Sequence, residues 1–354
     1  MKYHYKKGSA TLMMTLVMLA AMTVFSLMST QYARSAQNIY ANYAQAEQAV
    51  EAAQAGLDYA NNYLQPHRST IIVDANNDGY IDANSSSATL GDGSSYTFVY
   101  SNPTQNNFQI IKVVSTGKSS DNTATRTASG IMNITPWLAY LPPVSVAMGQ
   151  AATLGGSSNV TNTGGSTTIW SGGSVGLSGS ATTSLGSGVA SSASKNGGDI
   201  IASDPNLGAL TQATFFTNFF GATPAQVKSQ ANIVATGPGA LNGVTGQLIW
   251  LDNGGSTISF SGNAVIGSPA SPVVMVINGD ATFSGTVQIY GTIYVAGAST
   301  QLKGSFNVEG SILSYGTISL LGTSSIDSST KTFTSVQQQG NYNSAGSGWN
   351  DMGY

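Results

Sequence analysis

Between Phe283 and Gly297 every second residue is apolar or glycine: Phe283, Gly285, Val287, Ile289, Gly291, Ile293, Val295, Gly297. The same order returns 19 residues later as Leu302, Gly304, Phe306, Val308, Gly310, Ile312, Ser314 and Gly316, and a third copy opens at Leu320 and Gly322. An earlier copy, Phe260, Gly262, Ala264 and Ile266, precedes the first by 23 residues, with SPASP inserted between them. Strict alternation puts one face of each strand in a core. A fixed period near 19 residues makes each copy too small to enclose a core of its own, so the copies must stack. Glycines six residues apart, at Gly279, Gly285, Gly291 and Gly297, mark three short sides per coil. The pattern predicts a β-helix, right-handed and triangular in section, with Phe283, Val287, Ile289, Ile293, Leu302, Phe306, Val308 and Ile312 in its core. Adjacent coils then stack Val287 on Phe306, Ile289 on Val308 and Ile293 on Ile312. A β-sandwich is the alternative, but its strands need not recur at constant spacing.

Composition narrows the function. Only 8% of the 354 residues are charged, against roughly a quarter in ordinary soluble proteins. The net charge of −3 leaves no basic face for nucleic acid, whose phosphates are contacted mainly by Lys and Arg. The absence of cysteine removes disulfides, thiolate metal sites and Cys nucleophiles, and two histidines, His4 and His67, leave little for His-based catalysis. Carboxylate chemistry on a β-helix needs grouped acids on one face, whereas Asp252, Asp280, Glu309 and Asp327 are spread along the repeats. The expectation is a protein that is not an enzyme.

The N-terminus is built differently. No charge occurs between Lys7 and Arg34, and about 20 apolar residues suffice to span a bilayer. Lys2, Lys6 and Lys7 precede this run, which places the N-terminus in the cytoplasm. The helical pattern continues without a proline to Gln65, along a stripe of Ala46, Ala49, Ala53, Leu57, Ala60 and Leu64. Residues 9–65 are therefore expected as one long helix, with 9–33 its transmembrane half.

A short leader ending Lys6-Lys7-Gly8, the small Ser9, an apolar run and an amphipathic continuation resemble a type IV prepilin. The segment AEQAVEAAQAGLDYA is similar to the helix of PilX-type minor pilins. The resemblance implies cleavage by prepilin peptidase between Gly8 and Ser9, removing leader 1–8, with methylation of the new terminus. It also implies partners: the pilus assembly platform and other minor and major pilins. Most pilins carry Glu at the fifth mature position, which here is Met13; the PilX group resembles this chain in lacking it, as does the tip pseudopilin of type II secretion. The segment PVVMVINGDATFSG is similar to bactofilin-like repeats appended to some PilX-type proteins.

After Pro66, Asp74, Asn76, Asp78, Gly79, Tyr80, Ile81 and Asp82 fall at successive positions of a calcium loop. Asp74, Asn76, Asp78, the Tyr80 carbonyl and Asp82 are the candidate ligands for calcium as a structural clamp. Ser85 replaces the usual bidentate Glu, and an Asx-rich turn without metal is the other reading. Runs from Tyr96, Phe108 and Thr125 predict an antiparallel meander within 66–135. Residues 136–143, with three prolines, read as a stiff connector. The β-helix is assigned to 144–327, with a helical insertion near 204–231 whose Phe215, Phe216, Phe219 and Phe220 cap or flank the coils, and 328–354 as a tail.

The expected fold class is thus an α+β pilin-like domain, a long N-terminal helix on a small antiparallel sheet, followed by an all-β β-helix. The expected function is a minor, tip-associated type IV pilus subunit, inserted in the inner membrane before assembly and extracellular afterwards. It would serve assembly and adhesion to a host or surface receptor. The alternative is a membrane-anchored surface adhesin or β-helix carbohydrate-binding protein that never enters a pilus.

Overall fold

The computed structural model describes residues 7–64, 67, 71–72, 76, 78–82, 84–105, 107 and 109–344. Helix α1, Lys7–Leu64, is 58 residues long, about 87 Å at 1.5 Å per residue. Its C-terminal portion lies on an antiparallel meander of β1 (Ser85–Thr89), β2 (Ser95–Ser101), β3 (Ile110–Lys118) and β4 (Thr125–Pro136). Leu57, Ala60 and Leu64 are buried against Phe98, Tyr100, Ile111, Val113 and Met132, and Ala49, Ala52 and Ala53 are buried beside Gly117 of β3. The small residues let the backbones approach closely. A methyl group on Gly117 of β3 would stand 2.2 Å from the Ala49 carbonyl oxygen, and one on Gly56 would stand 2.3 Å from Ser115 Oγ. Glycine inside a strand here marks close backbone approach.

The meander is extended at its far edge by Gly340–Ser344, which pairs antiparallel with β4, Gly340 opposite Pro136 and Ser344 opposite Met132. This corrects two expectations. Residues 328–354 are not a plain tail, because Thr330–Gln337 is a helix and Gly340–Ser344 a strand. The coils are not appended to the sheet but inserted between two of its neighbouring strands. Residues 136–143, expected as a stiff connector, are packed against the rest of the chain: Trp137, Leu138 and Leu141 are buried, and Tyr140 N–H donates to the Phe219 carbonyl.

The insertion is a stack of parallel rungs. Adjacent rungs pair in register with Ile289 beside Val308 and Ile293 beside Ile312, and Phe283 aligns with Leu302. The rung order differs from the chain order. Inward positions of one side run Phe260, Phe283, Leu302, Leu320, Leu154, Leu177 across the stack. The corner that follows is a column of glycines in the left-handed region, Gly262, Gly285, Gly304, Gly322, Gly156 and Gly179, in the same spatial order. The last rung wound, through Thr317–Leu320, therefore packs on the first, through Ala152–Leu154. The chain enters at mid-stack and winds to one end. It then crosses to the other end and winds back to where it began.

The crossing is made by the helices Pro205–Gly208, Gln212–Phe220 and Pro224–Gln230, which lead from the strand Ile200–Ile201 to Ile233–Ala235. Phe215, Phe216, Phe219 and Phe220 are buried under this strap with Trp250, Val274, Val276, Tyr294 and Leu313. The helical insertion thus flanks the coils rather than capping them. Leu248–Leu251 and Val273–Ile277 are consequently buried on both faces, as parallel strands covered by helices must be. With these corrections the chain adopts the fold class read from its sequence, a long helix on a small antiparallel sheet together with an all-β coil stack.

The alternation predicts a contrast between neighbours. Ile289 is fully buried, whereas Gln288 faces outward and accepts a hydrogen bond from Asn307 Nδ2 at 2.7 Å. Denaturant unfolding should show Ile289→Asp losing several kcal/mol, on the order of 3–5, for a buried charge without a partner. Gln288→Asp should lose about 1 kcal/mol or less.

Candidate functional site

Helix α1 divides the functional surface. Residues 10–44 are exposed throughout, and the apolar window reaches a mean hydropathy of 2.0 with none of it buried. Met13 and Phe25 are 72% and 73% exposed. The helix is long and apolar enough to cross a membrane. The apolar character extends past Arg34 as Ile39, Tyr40 and Tyr43, all exposed. A bare surface of this extent marks a lipid or protein contact. Gly8 and Ser9, the residues of the expected cleavage junction, fall in the first turn of α1.

The acidic loop is held to the sheet by a residue the sequence pattern does not single out. Asn102, buried at the end of β2, accepts from Ile81 N–H at 2.7 Å and donates to the Gly79 carbonyl at 2.8 Å. Gln105 Nε2 donates to the Asp78 carbonyl at 2.6 Å. Gly79 has φ of 83°, the left-handed turn expected of it. Within the loop, Asp78 Oδ1 accepts from Tyr80 N–H at 2.8 Å, Asp78 Oδ2 from Asn76 Nδ2 at 2.9 Å, and Asn76 Oδ1 from Asp78 N–H at 3.1 Å. Tyr80 is exposed and Asp82 half-buried. Asp74 lies outside the described residues. The side-chain oxygens of Asn76 and Asp78 thus serve Asx turns, and calcium would have to replace the Asn76–Asp78 contact to gather them. Among the described residues no group of three His, Asp or Glu converges on a common point.

The coil residues form continuous columns. Phe283, Val287, Ile289, Ile293, Leu302, Phe306, Val308 and Ile312 are all buried in one core. The Phe306 ring packs on Phe283, with centroids 4.4 Å apart, and Phe283 packs on Phe260 at the same spacing. The four acids have separate surroundings. Asp252 pairs with Lys228 at 2.9 Å, and Asp280 Oδ1 accepts from Ser299 N–H at 3.0 Å. Glu309 sits in register beside Asp327, an exposed position of its strand whose carboxyl is pushed up by partial desolvation.

Two further carboxylates hold the strap and the end of the stack. Asp204 accepts from Trp170 Nε1 at 2.8 Å and caps Pro205–Gly208, while Lys228 with Asp252 latches the strap's other end. Asp199 is buried and accepts from Thr168 Oγ1 and Ser191 Oγ, both at 2.5 Å. Burial by itself would raise its carboxyl, but the hydroxyls of Ser191, Thr168 and Thr183 outweigh it and hold the group below the usual carboxylate range. Nothing in the low-complexity stretch around Asp199 separates it from surface turn residues. Its partners are 31 and 8 residues away and meet it only once the rungs stack.

No protein-family model matches the chain, and neither does any curated protein. Among solved structures it is similar to the crystal structure of competence-associated pilin ComZ from Thermus thermophilus, at 11% identity and a TM-score of 0.30, over 85% of this chain and 97% of that one. A superposition that loose fixes neither fold nor function, which rest here on register and burial.

Two outcomes follow from this geometry. If the loop binds calcium, the ion should raise the melting temperature of a fragment beginning at Ser35, and Asp78→Ala should abolish the increase; equal melting in calcium and in chelator would leave only Asx turns. Asp199 titrates below its unfolded value of roughly 3.9, so its stabilisation is present above that pH and is lost as pH falls through the folded value. Thermal melts between about pH 6 and 2 should show Asp199→Asn flattening this loss. Asp199→Ala should cost about 2–3 kcal/mol at neutral pH.

Proposed function

We propose that this chain is a minor type IV pilus subunit that sits at or near the tip and carries its coil stack outward for adhesion to a host or surface receptor. The observation that carries the reading is the division of α1: a bare apolar half followed by an alanine stripe packed on an antiparallel sheet. An anchor alone needs only the first half. A subunit that leaves the membrane for a filament core needs one continuous helix whose apolar half exchanges lipid for neighbouring helices. Lys6-Lys7-Gly8-Ser9 before that helix supports processing by prepilin peptidase, and Met13 in place of an acidic residue favours a position without a neighbouring terminal amine to neutralise.

The stack between β4 and Gly340–Ser344 would crowd a helical shaft, which further supports a terminal position and a small copy number. Its outward positions are mainly uncharged, including Gln288, Asn307, Ser325 and Thr182, suited to receptor contact and without catalytic grouping. Calcium at the Asp74–Asp82 loop is proposed as a clamp on the sheet. The partners are other minor and major pilins and the assembly platform.

Mature protein should begin at Ser9 on N-terminal sequencing, and tagged protein on sheared pili should concentrate at one end. A chain that still begins at Met1 and is absent from sheared pili would instead be a membrane-anchored surface adhesin.

A further inference from the structure

The two ends of the coil stack are finished differently. At the end that begins with Ile233–Ala235, the 3-10 turn Pro238–Ala240 lies against the edge strand Ile258–Phe260, and Leu241 is fully buried as a plug. At the opposite end the chain starts another rung and leaves it incomplete. On one side, Gly188–Ser192 adds antiparallel to Thr182–Leu185. On the next, Ile200–Ile201 adds parallel to Ile169–Trp170. The third side has no such addition: Val175–Leu177 pairs with Ala152–Leu154 and is the last strand of its sheet.

The missing position is a groove of about 430 Å³. Its floor is Val175 and Leu177, and its walls include Ser191, Lys195, Ile200 and Ala202. That volume lies within the range of ordinary ligand sites, roughly 300–1,000 Å³. The backbone faces it. Ser174 C=O accepts from Ala152 N–H, and Ser178 N–H donates to Leu154 C=O, so the even-numbered residues turn toward Ala152–Leu154. Alternate residues of a strand direct their N–H and C=O groups to opposite sides. Those of Val175 and Leu177 therefore point into the groove, while the Gly173 carbonyl on the same side is already taken by Ser203 N–H at 2.8 Å. Val175, Leu177 and Ile200 are only half-buried, unlike the residues at equivalent positions deeper in the stack. Lys195 is the one charged residue lining the groove.

We propose that this groove is a binding site for an extended peptide strand of a partner protein, which completes the rung by hydrogen-bonding to Val175 and Leu177. Its recognised pattern is apolar–polar–apolar, because the inward column it would continue reads Ile318–Ala152–Val175 beside Leu320–Leu154–Leu177. Lys195 and the lack of any acid in the lining favour a strand whose end carries a carboxylate. The assignment rests on rung geometry and is independent of the pilus reading.

The probe is a fluorescein-labelled peptide copying Tyr315–Gly322, whose strand already occupies this column, with a free C-terminus, titrated against the full chain in detergent. Val175→Pro removes one outward N–H and leaves the pairing to Ala152–Leu154 intact, so it should weaken binding at least about tenfold while melting with the parent. Ala202→Trp fills the groove from its wall and should do the same, which keeps the test valid if the proline variant fails to fold. Lys195→Gln and amidation of the peptide terminus should each weaken binding by about threefold to tenfold, and together no more than either alone. A scrambled peptide that binds equally well, affinity unchanged by Val175→Pro and Ala202→Trp, or no binding at about 1 mM would overturn the proposal. Self-association of the chain that Val175→Pro abolishes would also overturn it, in favour of a second copy as the occupant.

Discussion

The coil stack is closed by hydrogen bonds between the rung wound last and the rung wound first, Thr317–Leu320 beside Ala152–Leu154, with Leu320 opposite Leu154. Much of the rest depends on that seam. It brings the points where the chain enters and leaves the stack onto neighbouring rungs. Close ends are what allow a domain to sit inside another without disturbing it. They allow β4 and Gly340–Ser344 to remain adjacent strands of one antiparallel sheet. The seam is continuous with the rungs around it: the glycine corner passes from Gly322 to Gly156 as it does from Gly304 to Gly322. Starting at mid-stack in turn requires a crossing from one end to the other, and the helical strap from Pro205 to Gln230 supplies it.

The strap also accounts for how a chain with so little charge holds together. Its four phenylalanines and the outward faces of the central strands form a second apolar layer outside the coil interior. Its ends are fixed by Trp170 with Asp204 and by Lys228 with Asp252, the latter the ion pair found among the described residues. Elsewhere polarity is met by uncharged groups in columns, such as Asn307 donating to Gln288 and Ser328 donating to the Gly310 carbonyl. Repeated rungs satisfy their backbones on both sides, so charges are needed neither for pairing nor for the interior.

Helix α1 answers to two environments at once. Its buried half is defined by side chains small enough for Gly117 and the alanine stripe to meet, and its bare half by the absence of charge between Lys7 and Arg34. Neither half would form an isolated domain. The first lacks any protein contact among the described residues, and the second buries its alanine stripe only against the sheet.

The sequence by itself determined the elements whose signal is local: the long helix and its alanine stripe, the meander, and the rungs from Phe260 to Leu320 with their inward residues. These follow from periodicity, which a strand or helix imposes on its own residues. The first rungs carried a fainter form of the same signal. Leu154 and Gly156, then Leu177 and Gly179, repeat the apolar residue and glycine two apart seen at Phe260, Phe283, Leu302 and Leu320, but within a Gly- and Ser-rich stretch that dilutes the alternation. Only the tertiary structure decided the order in which rungs stack, the insertion between β4 and the closing strand, the strap's crossing, the Asn102 clamp and the burial of Asp199. Parallel rungs of nearly equal length can pair with any neighbour, so local pattern does not choose among them. The choice is made by closure over long separations, where Leu320 meets Leu154 and Met132 meets Ser344.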